Sequence, residues 1–206
     1  MKRPEAAGPA ARRRLPAAER RAAILDAARE LVFAQGHLPL SVEALARRAG
    51  VSKALVYAHF PDPPELYAAL MEIELDDLES HGRLDVGQAA DPVEAACRAA
   101  DVYLAHVASR GTVLHLLYRD PYLAARLPVR ARRLRDRVLG GYARAVRAAY
   151  GRPAREAVAA VSLIVTIPEE TGRLIFQRSL ALERGRLLCR ELVLGSLSAL
   201  AAERRV

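Results

Sequence analysis

The sequence predicts an all-α protein of about nine helices, and three observations carry that prediction. Helix-favouring residues dominate, with 41 Ala and 30 Arg among 206 residues. Runs of β-branched residues with period-two alternation are scarce, and no Asn-Gly or Asp-Gly hairpin signal occurs. Gly, Pro and capping residues fall between segments whose apolar positions recur at helical spacing.

Each element follows from local chemistry. Residues 1–16 carry Pro4, Gly8, Pro9 and Pro16 beside Lys2, Arg3 and Arg12–Arg14, and are expected to form a flexible basic arm. They lack the apolar run of a secretory signal. The first helix is expected from Ala17 to Gln35, with Ile24, Leu25, Ala28, Leu31 and Val32 as its apolar stripe and Gly36 as its stop. Ser41 is a suitable cap for a second helix over Val42–Ala49, and Ser52 for a third over Lys53–His59. Asp62-Pro63-Pro64-Glu65 combines a capping box with proline at the first helical position and opens a fourth helix to about Ser80. Asp91-Pro92-Val93-Glu94 repeats the device for a fifth, ending near Gly111. A short helix over Thr112–Arg119, a turn over Tyr122–Leu127 and a long helix over Val129–Tyr150 follow. Pro153 opens one helix from Ala154 to about Leu182, kinked at Pro168, and a last helix runs from about Arg186 to Ala202.

Apolar residues make up 52% and charged residues 27%, a globular composition. The longest uncharged windows, Leu31–Val42 and Ala157–Pro168, are too short to span a membrane. Cys97 and Cys189 form no CxxC pair, so a disulfide framework and a cysteine zinc site are not expected, and a reducing cytoplasm is. The formal net charge is +8, and residues 1–60 hold +6 of it, with 11 Lys and Arg against 5 Asp and Glu. Basic charge concentrated at one end suits a polyanionic partner there.

The sharpest signal is segment 41–60, two short helices joined at Gly50 and Val51. Glycine suits a sharp turn at positive φ, and Val51 and Phe60 are apolar pegs for the third helix. Ser41, Arg47, Arg48, Ser52, Tyr57 and His59 cluster around this turn with groups suited to phosphates. An ordinary αα-hairpin is the plain alternative. The charge-rich setting and the shortness of both helices favour a helix-turn-helix.

Residues 17–67 resemble the N-terminal DNA-binding domain of the TetR (tetracycline repressor) family. The resemblance rests on Ile24-Leu25-Asp26-Ala27-Ala28, Leu31-Val32-Phe33, Gly36, Ser41-Val42, Leu45-Ala46-Arg47-Arg48-Ala49-Gly50-Val51-Ser52 and Val56-Tyr57-Ala58-His59-Phe60. It implies a three-helix DNA-binding unit over residues 17–62 and a helical effector-binding and dimerisation unit over 63–206. Lys53, Ala54 and Leu55 would face bases, while Ser41, Ser52, Tyr57 and His59 would contact phosphates, supported by Arg47 and Arg48. The family usually places Lys at the start of the fourth helix. Here Pro63 and Pro64 stand there, and Asp62 adds negative charge.

The resemblance further implies a homodimer through the last two expected helices, about 154–202, and an interior ligand pocket. The sequence fits both. Val158–Ile167 is apolar nearly all round, and Leu187, Leu188, Leu192, Val193, Leu197 and Leu200 share the last helix with small Gly195, Ser196 and Ser198. A purely intrachain core is the alternative. Candidate pocket residues are Met71, Tyr103, His106, His115, Tyr118 and Tyr142, each of which taken singly reads as a packing residue. Glu169 is expected to pair with Arg173 four residues on, or else to lie as a buried acid on the pocket floor. The Arg126–Arg137 run reads as a solvated face.

The expected function is a bacterial cytoplasmic regulator, nucleoid-associated when bound to DNA. It would be a repressor that binds a palindromic double-stranded operator and is released by a small-molecule effector. A regulator without such an effector, constitutive or governed by a protein partner, is the alternative. No cofactor, metal or membrane partner is called for. The five His show no metal spacing, and GxSxG, P-loop and GxGxxG motifs are missing, so a helical enzyme has no motif to rest on.

Overall fold

The computed structural model describes residues 16–82, 84 and 91–202. Among these, eleven helices and no strands occur. They are α1 (Ala17–Gln35), α2 (Val42–Ala49), α3 (Lys53–His59), α4 (Pro63–Ser80), α5 (Pro92–Arg110), α6 (Val113–Arg119), α7 (Pro121–Ala124), α8 (Val129–Tyr150), α9 (Ala154–Ile164), α10 (Thr166–Phe176) and α11 (Leu182–Ala202). The basic arm expected over residues 1–16 lies outside the described residues except for Pro16.

The caps act as the side chains predict. Ser41 Oγ accepts from Ala44 N at 3.4 Å, Ser52 Oγ from Leu55 N at 3.2 Å, and Asp62 Oδ1 from Glu65 N at 2.9 Å. Gly50 takes φ +66°, and Val51 N donates back to Ala46 O at 3.0 Å, which closes α2 and redirects the chain into α3.

The expected single helix over 154–182 is instead α9 and α10, broken at Val165. Pro168 has no N–H, and its ring crowds the carbonyl of Ile164 four residues earlier, so α9 stops at Ile164. The proline then sits in the first turn of α10, where it is tolerated. The end of α10 also comes earlier than expected. Arg178 adopts φ +58°, with Arg178 N donating to Ile175 O and Ser179 N to Leu174 O. This is a glycine-type helix stop built on arginine, so the sequence carries no glycine to mark it. The last helix begins at Leu182 rather than Arg186, with Gly185 inside its first turn. A Cβ there would lie 2.7 Å from Ile175 Cδ1, so this glycine serves the close approach of α10 and α11.

Two buried cores result, and they cut across the boundary expected at residue 62. One joins α1–α4 to α6, α7 and the start of α8, through Ile24, Leu45, Val56, Leu70, Leu117 and Leu134. The other joins α5, α8, α9 and α11, through Leu104, Val146, Val161 and Leu197. The α2–α3 unit therefore has no core of its own. It rides on α1 and α4, and Tyr67 of α4 accepts a hydrogen bond from Leu40 N at 2.8 Å just before α2.

Candidate DNA interface and interior cavity

The exposed face of α2 and α3 gathers the DNA-contact candidates. Val56 and Phe60 anchor α3 inward at 3% exposure each. Helical spacing therefore turns Lys53, Ala54 and Tyr57 outward, and all three are exposed. Leu55 and His59 are half-buried at the flanks, while Ser41, Arg47, Arg48 and Ser52 are exposed.

Several of these groups are already engaged. The Lys53 ammonium bonds the Glu43 carboxylate, and Ser41 Oγ donates to the other Glu43 oxygen at 3.0 Å. The bond from Lys53 lowers the Glu43 pKa to about 2. Arg48 Nε donates to Glu30 at 2.7 Å. Arg47 has no such partner among the described residues. Sequence reading missed the role of Glu43, although its place in the first turn of α2, near the start of α3, was the available signal.

The pocket candidates divide. Tyr103, His115, Tyr118, Tyr142 and Glu169 line one interior cavity of about 360 Å³, walled by apolar side chains from α4, α5, α6, α8 and α9. Tyr118 donates to Ala131 O at 3.0 Å, and burial pushes its pKa up to about 12. The Tyr103 and Tyr142 hydroxyls and His115 Nδ1 are buried without a hydrogen-bond partner. Burial raises the pKa of both tyrosines and lowers that of His115, so all three rings are held neutral. Glu169 does not pair with Arg173, which bonds Glu170 instead. It lies 3.6 Å from His115 Nδ1, and burial raises its pKa against the pull of Arg119 and Arg135.

Met71 and His106 lie outside this cavity. Met71 is fully buried in the first core, because its position on α4 turns it toward Leu117 and Leu123. His106 faces α4 across a polar cluster. Its Nδ1 is 2.8 Å from Asp77 Oδ2 and its Nε2 3.6 Å from Glu74 Oε2, and Arg110 donates to Glu74 at 2.9 Å. Asp77, His81 and His106 bring three atoms of metal-ligating kind, one from each, within 4.8 Å of one another. Arg110 lies 3.9 Å from Asp77 and supplies cationic charge there.

The Arg126–Arg137 run is not a uniform solvated face either. Arg130 bonds Glu72, Asp76 and Glu79 together and ties α8 to α4. No helix of the described residues is long and apolar enough to cross a membrane.

The family model described as "Bacterial regulatory proteins, tetR family" matches residues 24–70. The chain is 30% identical over 110 residues to the HTH-type transcriptional activator FasR of Mycolicibacterium smegmatis, covering 53% of this chain and 50% of that one. It is 32% identical over 102 residues to the HTH-type transcriptional regulator HbdR of Aromatoleum sp., covering 50% and 44%. The chain thus spans about half the length of these curated relatives or less. Among solved structures, a TetR-like transcriptional regulator from Rhodococcus sp. RHA1 superposes with a TM-score of 0.67 at 23% identity, over 90% of this chain and 99% of that one. That last likeness is one of fold.

Proposed function

The chain belongs to the bacterial tetR family of regulatory proteins, and from that premise we propose that it binds a palindromic operator as a homodimer and releases it when a small molecule fills the interior cavity. Residues 17–62 are the DNA-binding part in this reading, and residues 63–206 bind effector and partner. The observation that carries it is the outward face of α3, where Lys53, Ala54 and Tyr57 stand exposed beyond a capped tight turn. Lys53, Ala54 and Leu55 read bases in the major groove, mostly by van der Waals contact from the two apolar groups. Ser41, Arg47, Arg48, Ser52, Tyr57 and His59 hold phosphates.

The pairing surface is assigned to α9–α11, residues 154–202. Among the described residues after 130, the large apolar side chains left exposed are Val158, Leu163, Leu187 and Leu192, all on α9 and α11. Release follows if the effector fits only the geometry that separates the two α3 helices wrongly for DNA. Tyr67, bonded to the loop before α2, and Arg130, bonded to three acids of α4, are the links by which α4 passes that change on.

Selecting preferred DNA from a random pool with the full chain tests this reading. An inverted repeat is expected. With roughly 6–10 phosphates contacted per dimer, log affinity should fall with log salt at a slope of about −5 to −9. No enriched repeat and a flat salt response would remove it. The sense of control, repression, is read separately from a reporter promoter. FasR is named an activator, and a rise in transcription on binding would replace repression by activation.

A further inference from the structure

The cavity has a chemistry that selects its occupant. We propose that it takes a monoanionic small molecule with an apolar body, such as an aryl or alkyl carboxylic acid, whose acid group lies beside Arg119 and Arg135. This deepens the effector reading above and rests on it for biological meaning, though not for binding.

Three features converge on that class. The walls are largely aliphatic, with Leu84, Val138 and Leu139 among them, so the body of the ligand must be apolar. Next, the hydroxyls of Tyr103 and Tyr142 are buried with no partner in residues that line the cavity. A buried hydroxyl left unpaired is destabilising. A ligand with a hydrogen-bonding group at that depth recovers this, and one that brings only carbon does not.

The third feature is charge. Arg119 and Arg135 both line the cavity, and neither has an ion-pair partner within 4.0 Å among the described residues. Glu169 is the acid among the lining residues, and it lies against His115 rather than bonded to either guanidinium. The nearby Glu170 is matched by Arg173. The lining sets two arginines against one acid, and a single anion balances the excess. An amine of the same shape would meet one acid, Glu169, but also two guanidiniums. Both arginines are exposed. The acid group would therefore sit toward the cavity mouth, keep part of its hydration, and gain charge-assisted hydrogen bonds.

The test uses matched trios that differ only in head group: biphenyl-4-carboxylate, biphenyl-4-methanol and biphenyl-4-methylamine, with naphthyl and dodecyl trios alongside. Calorimetry on the full chain reports binding directly. Within at least one trio the acid should bind about tenfold or more tighter than the alcohol, with the amine weakest. Replacing both arginines, Arg119→Gln with Arg135→Gln, should erase the preference for the acid and leave the affinity for the alcohol unchanged. These side chains are exposed, so the fold should persist, which circular dichroism checks. An amine or alcohol that binds as tightly as its acid overturns the proposal. So does failure of all three acids to bind, or a preference that survives in the double variant. Operator affinity is measured in parallel. An acid that binds without altering DNA affinity leaves the ligand class standing and removes the effector reading.

Discussion

The Lys53 ammonium is bonded to the Glu43 carboxylate, joining the first residue of α3 to the first turn of α2. The residue proposed to read a base is therefore paired within its own chain. Both side chains are more than half exposed, so the pair breaks readily. If Lys53 reads a base as proposed, the pair must break on DNA binding, and Glu43 would repel phosphates there. Glu43→Gln should tighten binding to all sequences by about two- to fivefold and steepen the salt slope by about one. Unchanged affinity in an anisotropy titration would show that Lys53 does not leave Glu43 on binding.

Base readers and phosphate holders on α3 should separate by substitution. Lys53→Ala should cost about 1–3 kcal/mol on the selected site and relax preference at one position per half-site. Tyr57, 49% exposed, should act otherwise. Tyr57→Phe removes one hydroxyl and should weaken specific and random DNA alike, since a phosphate contact carries no sequence information. Equal losses on both DNAs for Lys53→Ala would move Lys53 to the phosphate class.

The sequence disclosed α1 to α5 closely because each is bounded by residues with one dominant local preference. Ser41, Ser52, Asp62 and Asp91 all cap as their side chains require. It failed where tertiary contact decided. Arg178 takes a left-handed conformation that glycine would have announced, and Gly185 is a packing residue, not a stop. The pocket set shows the same division. Tyr103, Tyr118 and Tyr142, chosen as polar groups on otherwise apolar helices, line the cavity. His106 stands three residues after Tyr103 on α5, about 60° round the helix, and there it faces Asp77 and Glu74 of α4 rather than the cavity.

Those acids make a strong stability prediction. Glu74 is fully buried, and Arg110 is the guanidinium bonded to it. Arg110→Met strands the carboxylate, which should cost about 3–5 kcal/mol. Adding Glu74→Leu should restore much of the loss, because an apolar pair needs no charge compensation. Denaturant titration reads both. If Arg110→Met left stability unchanged, Glu74 would be protonated in the native state, consistent with the burial that raises its pKa.

His106 should give stability a pH dependence of definite sign. Burial lowers its pKa from 6.5, opposed by the bond to Asp77 and reinforced by His81 and Arg110. The unfolded chain then binds a proton below about pH 6.5 that the native state resists. Stability from this group is full above about pH 6.5 and is lost as pH falls below it. Glu74, with its raised pKa, acts in the opposite direction as acid is added. His115 shares the sign of His106. The difference between the native chain and His106→Gln isolates the His106 part. Thermal melting of the variant should fall less steeply between about pH 7 and 5.5. Parallel curves would mean that the fold leaves the His106 pKa unshifted, and a steeper fall in the variant would mean that Asp77 keeps His106 protonated.

The dimer carries the palindrome argument, so it needs its own test. A single helix-turn-helix reads few bases, and useful specificity requires two at a fixed separation of about one helical turn of DNA, 34–36 Å. Leu163 is 71% exposed on α9, and Leu187 and Leu192 are 56% and 48% exposed on α11. Gly195, three residues beyond Leu192, has open space where a Cβ would stand. Neither Leu163→Arg nor Gly195→Arg disturbs a contact within the chain, so helical content should be kept in both. In a pair of subunits, each would bury an unpaired charge, at a cost of about several kcal/mol. Sedimentation should then show a single 22.5 kDa chain in place of two. Operator binding should be lost with the dimer, while weak binding to a half-site persists. A variant that remained paired and bound its operator normally would move the subunit contact away from α9 and α11, and the exposed leucines would need another partner.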